Sequence, residues 1–107
     1  MEWRVEFVNK AVIEEIAALP ADMQARFTAL TDRICKVGLE TLGEPQVKHL
    51  DGKLWEMRLT GRDGIARVIY ITALGRRVVF LHAFIKKTQK APRSEIQIAL
   101  KRAKEVR

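Results

Sequence analysis

Residues 53–87 read KLWEMRLTGRDGIARVIYITALGRRVVFLHAFIKK. Apolar side chains alternate with polar ones through LWEMRL, and GRDG and LGRR break the pattern at hairpin spacing. The stretch therefore predicts three consecutive strands joined by tight turns. Trp55, Met57 and Leu59 share one face of the first strand, and Leu54, Glu56 and Arg58 share the other. In the third, Phe80, His82, Phe84 and Lys86 alternate with Leu81, Ala83 and Ile85. Cations recur where a purely structural sheet would carry neutral residues. Arg58 is mid-strand, Arg67 lies within an otherwise apolar strand, and Lys86 and Lys87 end the third. A cation inside an apolar strand is costly unless it faces a site or a partner. The sheet thus predicts a surface built for a polyanion.

Upstream, Trp3, Val5 and Phe7 alternate with charged residues as in a half-buried strand. Asn9 is placed to cap a helix whose apolar stripe is Val12, Ile13, Ile16 and Ala17. Pro20 separates it from a second helix, where Met23, Phe27, Leu30, Ile34 and Val37 are spaced 4, 3, 4, 3. That seam lasts only about two heptads, so it is expected to pack on the chain's own sheet rather than in a coiled coil. Residues 44–52 read as a loop exposing Lys48 and His49. Downstream, Pro92 opens a final helix with a narrow stripe of Ile96, Leu100 and Ala103 and basic faces elsewhere. The expected fold is α+β, in the order β-α-α-β-β-β-α, with a small antiparallel sheet packed against helices in one domain spanning residues 1–107.

The chain has 107 residues, 48% of them hydrophobic, and a formal charge of +7. Residues 1–52 hold six Lys/Arg and nine Asp/Glu, whereas residues 53–107 hold fourteen and four. A cationic half beside a mildly acidic one is the footprint expected of a nucleic-acid binder. No apolar run is long enough to span a bilayer, so no membrane partner and a cytoplasmic location are expected. Cys35 is the only cysteine, and no Cys/His cluster has zinc-site spacing. No phosphate-cradling glycine loop or nucleotide fingerprint is present. Any catalysis is therefore expected to use no metal and no cofactor.

Metal-independent cleavage of RNA suits the remaining inventory. A site that holds the phosphate in line, removes the 2′-proton and protonates the leaving 5′-oxygen needs only fixed cations, a base and an acid. Arg58 and Arg67 are the phosphate clamps, because a guanidinium fork matches two phosphate oxygens. Lys86 and Lys87 add charge or donate the leaving-group proton, and Glu56 or His82 takes the 2′-proton. Lys48, His49, Lys53 and Lys90 border the RNA path. Simpler roles stand beside these: a Glu56–Arg58 surface pair, and a half-buried His82 satisfied by its neighbours.

GKLWEMRL, then ARVIYI, then VVFLHAFIKKTQKAP with its following helix resembles the RelE/ParE superfamily of bacterial toxins, more closely its phage-derived, Gp49-like or HigB-like branch. The resemblance implies the toxin of a type II toxin–antitoxin pair and a ribosome-dependent mRNA endonuclease. It also implies a HigA-like helix-turn-helix antitoxin as partner, with assembly into a toxin–antitoxin heterotetramer left open. The family's strand arginine matches Arg67, its basic strand end matches Lys86 and Lys87, and the arginine after its Trp-Glu pair matches Arg58. Some nucleases of the superfamily carry a tyrosine near the last strand, which this chain lacks, since Tyr70 is its only tyrosine. The alternatives are a non-nucleolytic, ParE-like inhibitor of gyrase and a basic nucleic-acid-binding module.

Overall fold

The computed structural model describes residues 2–86 and 92–107. The elements are β1 (Arg4–Phe7), α1 (Lys10–Ala17), α2 (Ala21–Val37), β2 (Val47–Asp51), β3 (Leu54–Gly61), β4 (Gly64–Ala73), β5 (Arg77–Lys86) and α3 (Arg93–Ala103), with a 3-10 turn at Leu39–Thr41. The fold is α+β, and the three strands expected in residues 53–87 form its centre. Asn9 caps α1 as its side chain predicts, with Oδ1 accepting from Val12 N at 3.1 Å.

Two features of the sheet differ from the sequence reading. The strand order is β1-β5-β4-β3-β2, and β1 pairs parallel with β5, so the sheet is mixed rather than antiparallel throughout. The segment read as a loop also contains a strand, because β2 pairs antiparallel with β3, placing Lys48 opposite Glu56 and His49 opposite Trp55. Its sequence, VKHLD, hides this strand: β2 is an edge, and only Val47 and Leu50 turn inward.

The helices divide between the two faces of the sheet. Val12, Ile16, Met23, Phe27, Leu30 and Ile34 of α1 and α2 cover Met57, Leu59, Val68, Tyr70, Val78 and Phe80. On the opposite face α3 lays Ala99, flanked by Ile96 and Ala103, over Leu54, Ile69, Ile71, Val79 and Leu81. Ile96 and Ala103 lie on the α3 stripe as expected, but Ala99 stands in for Leu100, which is 47% exposed. Ile13 and Val37, expected on the apolar stripes of α1 and α2, face solvent. Among the described residues, no helix is long and apolar enough to cross a membrane.

A bulge in β5 also overturns one expected face. Ile69 pairs with His82 but Tyr70 pairs with Phe80, which leaves Leu81 as the extra residue. Phe80 therefore faces α2, whereas His82 and its alternates turn to the α3 side. The simple alternation of Phe80 with His82 breaks at this point.

Candidate active site

The α3 side of the sheet gathers the charged side chains of the candidate site. The pleat sets Glu56 and Arg58 of β3 beside Arg67 of β4, and Arg58 and Arg67 are direct register partners. Past the bulge, Phe84 pairs with Arg67 and Lys86 with Ile65, so Lys86 joins the same row. Lys48 adds a fifth side chain from β2, opposite Glu56. Four cations thus surround one carboxylate.

Burial decides how these groups interact. Arg67 Nη1 donates to Glu56 Oε1 at 2.6 Å, with both side chains 4% exposed. Arg58 Nε lies 3.7 Å from the same oxygen, and its side chain is 24% exposed. The pair does not exhaust the polar capacity of the site. Glu56 Oε2, Arg58 Nε and Arg67 Nε are buried and lack hydrogen-bond partners among the described residues. Buried polar atoms are normally paired, so three orphans in one place set this cluster apart as the candidate site. Lys86 is itself buried. Burial pushes its ammonium below the ordinary lysine range, the nearby Arg67 charge adds to that push, and Glu56 opposes it.

His82 stands next to this row but belongs to another network. Its Nδ1 lies 2.9 Å from Glu15 Oε1 of α1, and its Nε2 lies 2.7 Å from Glu95 Oε1 of α3. A carboxylate only accepts, so the ring donates to both only when both nitrogens carry protons. Arg102 clasps the same Glu15 through two bonds of 2.9 Å and also donates to Leu81 O. Ala83 N, free of β1 beyond the bulge, donates to Glu15 Oε1 at 3.1 Å. Burial pushes the Glu15 carboxyl up, but Arg102, Ala83 N–H and His82 outweigh it and hold the carboxyl below its usual range. Phe84 stacks on His82, with ring centres 5.5 Å apart, and separates this hub from Arg67. Glu15, Glu95 and Arg102 carry no signal in the sequence, because they meet His82 only through the packing of two helices.

The remaining expected residues scatter. His49 lies toward the α1/α2 face, edge-on to Trp55 at 5.1 Å, with Nε2 2.8 Å from Gly52 O. Lys53 occupies the β2–β3 turn and lines a cleft with Lys104 and Arg107 at the far end of the sheet. Lys87 and Lys90 lie outside the described residues. Among the described residues, no three His, Cys, Asp or Glu side chains converge as metal ligands.

Residues 14–104 match the model of the family described as phage derived protein Gp49-like. No curated protein matches the chain. The match spans most of the chain, including strands β2 to β5 and all of α2 and α3, so the protein belongs to the phage-derived Gp49-like family, a RelE/toxin-like group.

Proposed function

We propose that this toxin-like protein is a metal-independent endoribonuclease that cuts mRNA on the ribosome. The three orphaned buried atoms of the Glu56–Arg58–Arg67 cluster carry the proposal. Two of them are guanidinium N–H donors that match phosphate oxygens, and the third is a carboxylate oxygen that matches a 2′-hydroxyl. Arg58 and Arg67 hold the scissile phosphate and oppose the charge that grows on its equatorial oxygens. Glu56 Oε2 takes the 2′-proton as O2′ attacks phosphorus. The bond from phosphorus to O5′ breaks, and Lys86 Nζ, its proton loosened by burial, protonates the leaving oxygen. The products are a 2′,3′-cyclic phosphate and a 5′-hydroxyl. Lys48 steers the strand toward the row. His82 has both ring nitrogens on carboxylates, which favours Glu56 over it as the base.

A toxin-like family implies an antitoxin partner in general. A helix-turn-helix antitoxin, bound as a heterotetramer, is the form we propose. The deciding experiment is expression without antitoxin, with transcript 5′ ends mapped across the genome. New 5′-hydroxyl ends in coding regions, in phase with codons and abolished by Glu56→Gln, are expected. Arrested growth with unchanged ends would exclude the nuclease and point to gyrase inhibition.

A further inference from the structure

The face of the sheet away from the cationic row holds a groove of about 300 Å³ between the 3-10 turn and the ends of β2, β3 and β4. That volume is at the low end for small-ligand sites, roughly 300–1,000 Å³. Trp3 and Trp55, the only tryptophans in the chain, both line it. The Trp3 indole is held by its own bond, with Nε1 donating to Glu40 Oε2 at 3.3 Å. Trp55 is a register partner of Tyr70 and is 39% exposed.

Tyr70 also lines the groove, is 1% exposed, and makes no hydrogen bond among the described residues. Burial alone pushes its phenol up to about 12. Thr72 and Glu40 supply the other polar groups of the lining. Indole walls with a few convergent polar groups match a ring that is apolar on its faces and polar at its edge. An aliphatic anchor from a protein partner would leave the Tyr70 phenol unpaired.

The surroundings narrow the ligand further. Glu40 disfavours a phosphate inside the groove, so a nucleotide's backbone must run outside it. The adjacent edge strand β2 provides that path, since successive residues of β2 point to opposite faces. Lys48 lies on the side of the cationic row, and His49, packed on Trp55, lies on the side of the groove. A single strand crossing this edge would meet both.

We propose that the tryptophan groove binds one nucleobase of a single-stranded RNA whose backbone crosses β2 toward the Arg58–Arg67 row. Glu40 accepts from an exocyclic amine, so adenine, cytosine and guanine are preferred over uracil. The inference rests on RNA being the ligand of the proposed nuclease, and it adds a second contact on the other side of the sheet.

Tryptophan fluorescence tests it directly, because both indoles line the groove. The full-length protein is titrated with adenosine, cytidine, guanosine and uridine, then with a single-stranded RNA hexanucleotide. Saturable quenching is expected, with uridine weakest. Trp55→Ala should weaken adenosine roughly tenfold, Trp55→Phe should restore part of the loss, and Glu40→Gln should narrow the preference against uridine. The hexanucleotide should displace adenosine and lose affinity in Lys48→Ala, while adenosine binding to that variant stays unchanged. Absence of saturable quenching by any nucleoside overturns the proposal. So does adenosine binding that the hexanucleotide cannot displace, which would mean a site for a free nucleoside. Quenching that persists while transcripts stay intact would remove the nuclease and keep the groove; cut transcripts without quenching would do the reverse.

Discussion

Arg67 donates to Glu56 between neighbouring strands at 2.6 Å, and neither side chain is more than 4% exposed. Breaking such a pair from one side strands a buried charge, which typically costs about 3–5 kcal/mol. Arg58 remains near Glu56, so Arg67→Ala is expected near the lower end of that range. The buried pair therefore predicts that Arg67→Ala loses activity and a large share of its stability together. Urea unfolding of Arg67→Ala, Glu56→Gln and the Arg67→Met/Glu56→Gln double variant checks this. The double variant should recover most of the stability and none of the activity.

Lys86 predicts an alkaline limit to activity. Burial and Arg67 lower its pKa below 10.5, and a general acid works only while protonated. Single-turnover cleavage should therefore fall as pH rises through that lowered value. Lys86→Arg keeps the charge but releases no proton in this window. It should slow cleavage roughly 10²–10⁴-fold and remove the alkaline limb. A wild-type limb that persists in Lys86→Arg would assign the acid elsewhere.

Glu15 predicts the acid limit of stability. Its folded-state pKa is depressed below 4.5, so its contribution is present above 4.5 and lost as pH falls through the folded value. Glu15→Gln should cost roughly 1–3 kcal/mol at neutral pH by leaving Arg102 and Ala83 N less well satisfied. The difference between variant and wild type should shrink in urea melts taken progressively below pH 4.5.

Gly61 predicts a steric limit where α2 meets the β3–β4 turn. A Cβ there would lie 2.8 Å from Met23 Cγ and 2.9 Å from Asp22 Oδ2. Met23 is fully buried, and Asp22 accepts from Arg62 N at 2.7 Å, so neither yields easily. Gly61→Ala should lower stability by about 1–3 kcal/mol, read as a lower thermal midpoint. Activity per folded molecule should be unchanged.

The strands that carry the site were legible because their periodicity is local. Apolar alternation located β3, β4 and β5, and the anomalous Arg67 pointed to the face on which the candidate site lies. What stayed hidden depends on distant partners. β2 shows an edge strand's polar sequence, and the parallel seam of β1 with β5 joins residues far apart in the chain. The buried side of α3 rests on Ala99, too small to announce a stripe. Pairing of Glu56 with Arg67, rather than with Arg58 alone, follows from the β3–β4 register, which no single strand reveals. Nor could alternation show that His82 is gripped by Glu15 and Glu95.

The extra residue at Leu81 decides on which side of the molecule the amine of Lys86 operates. With strict pairing, His82, Phe84 and Lys86 would continue the face of Phe80 and point at α2, and Arg67 would have no lysine beside it. The proton donor of the proposed site is therefore placed by one unpaired residue in the strand as much as by the identity of the side chains. Pairing Leu81 with Ile69 in place of the bulge would carry that amine to the α1/α2 side, away from Arg67, without changing a single side chain of the site.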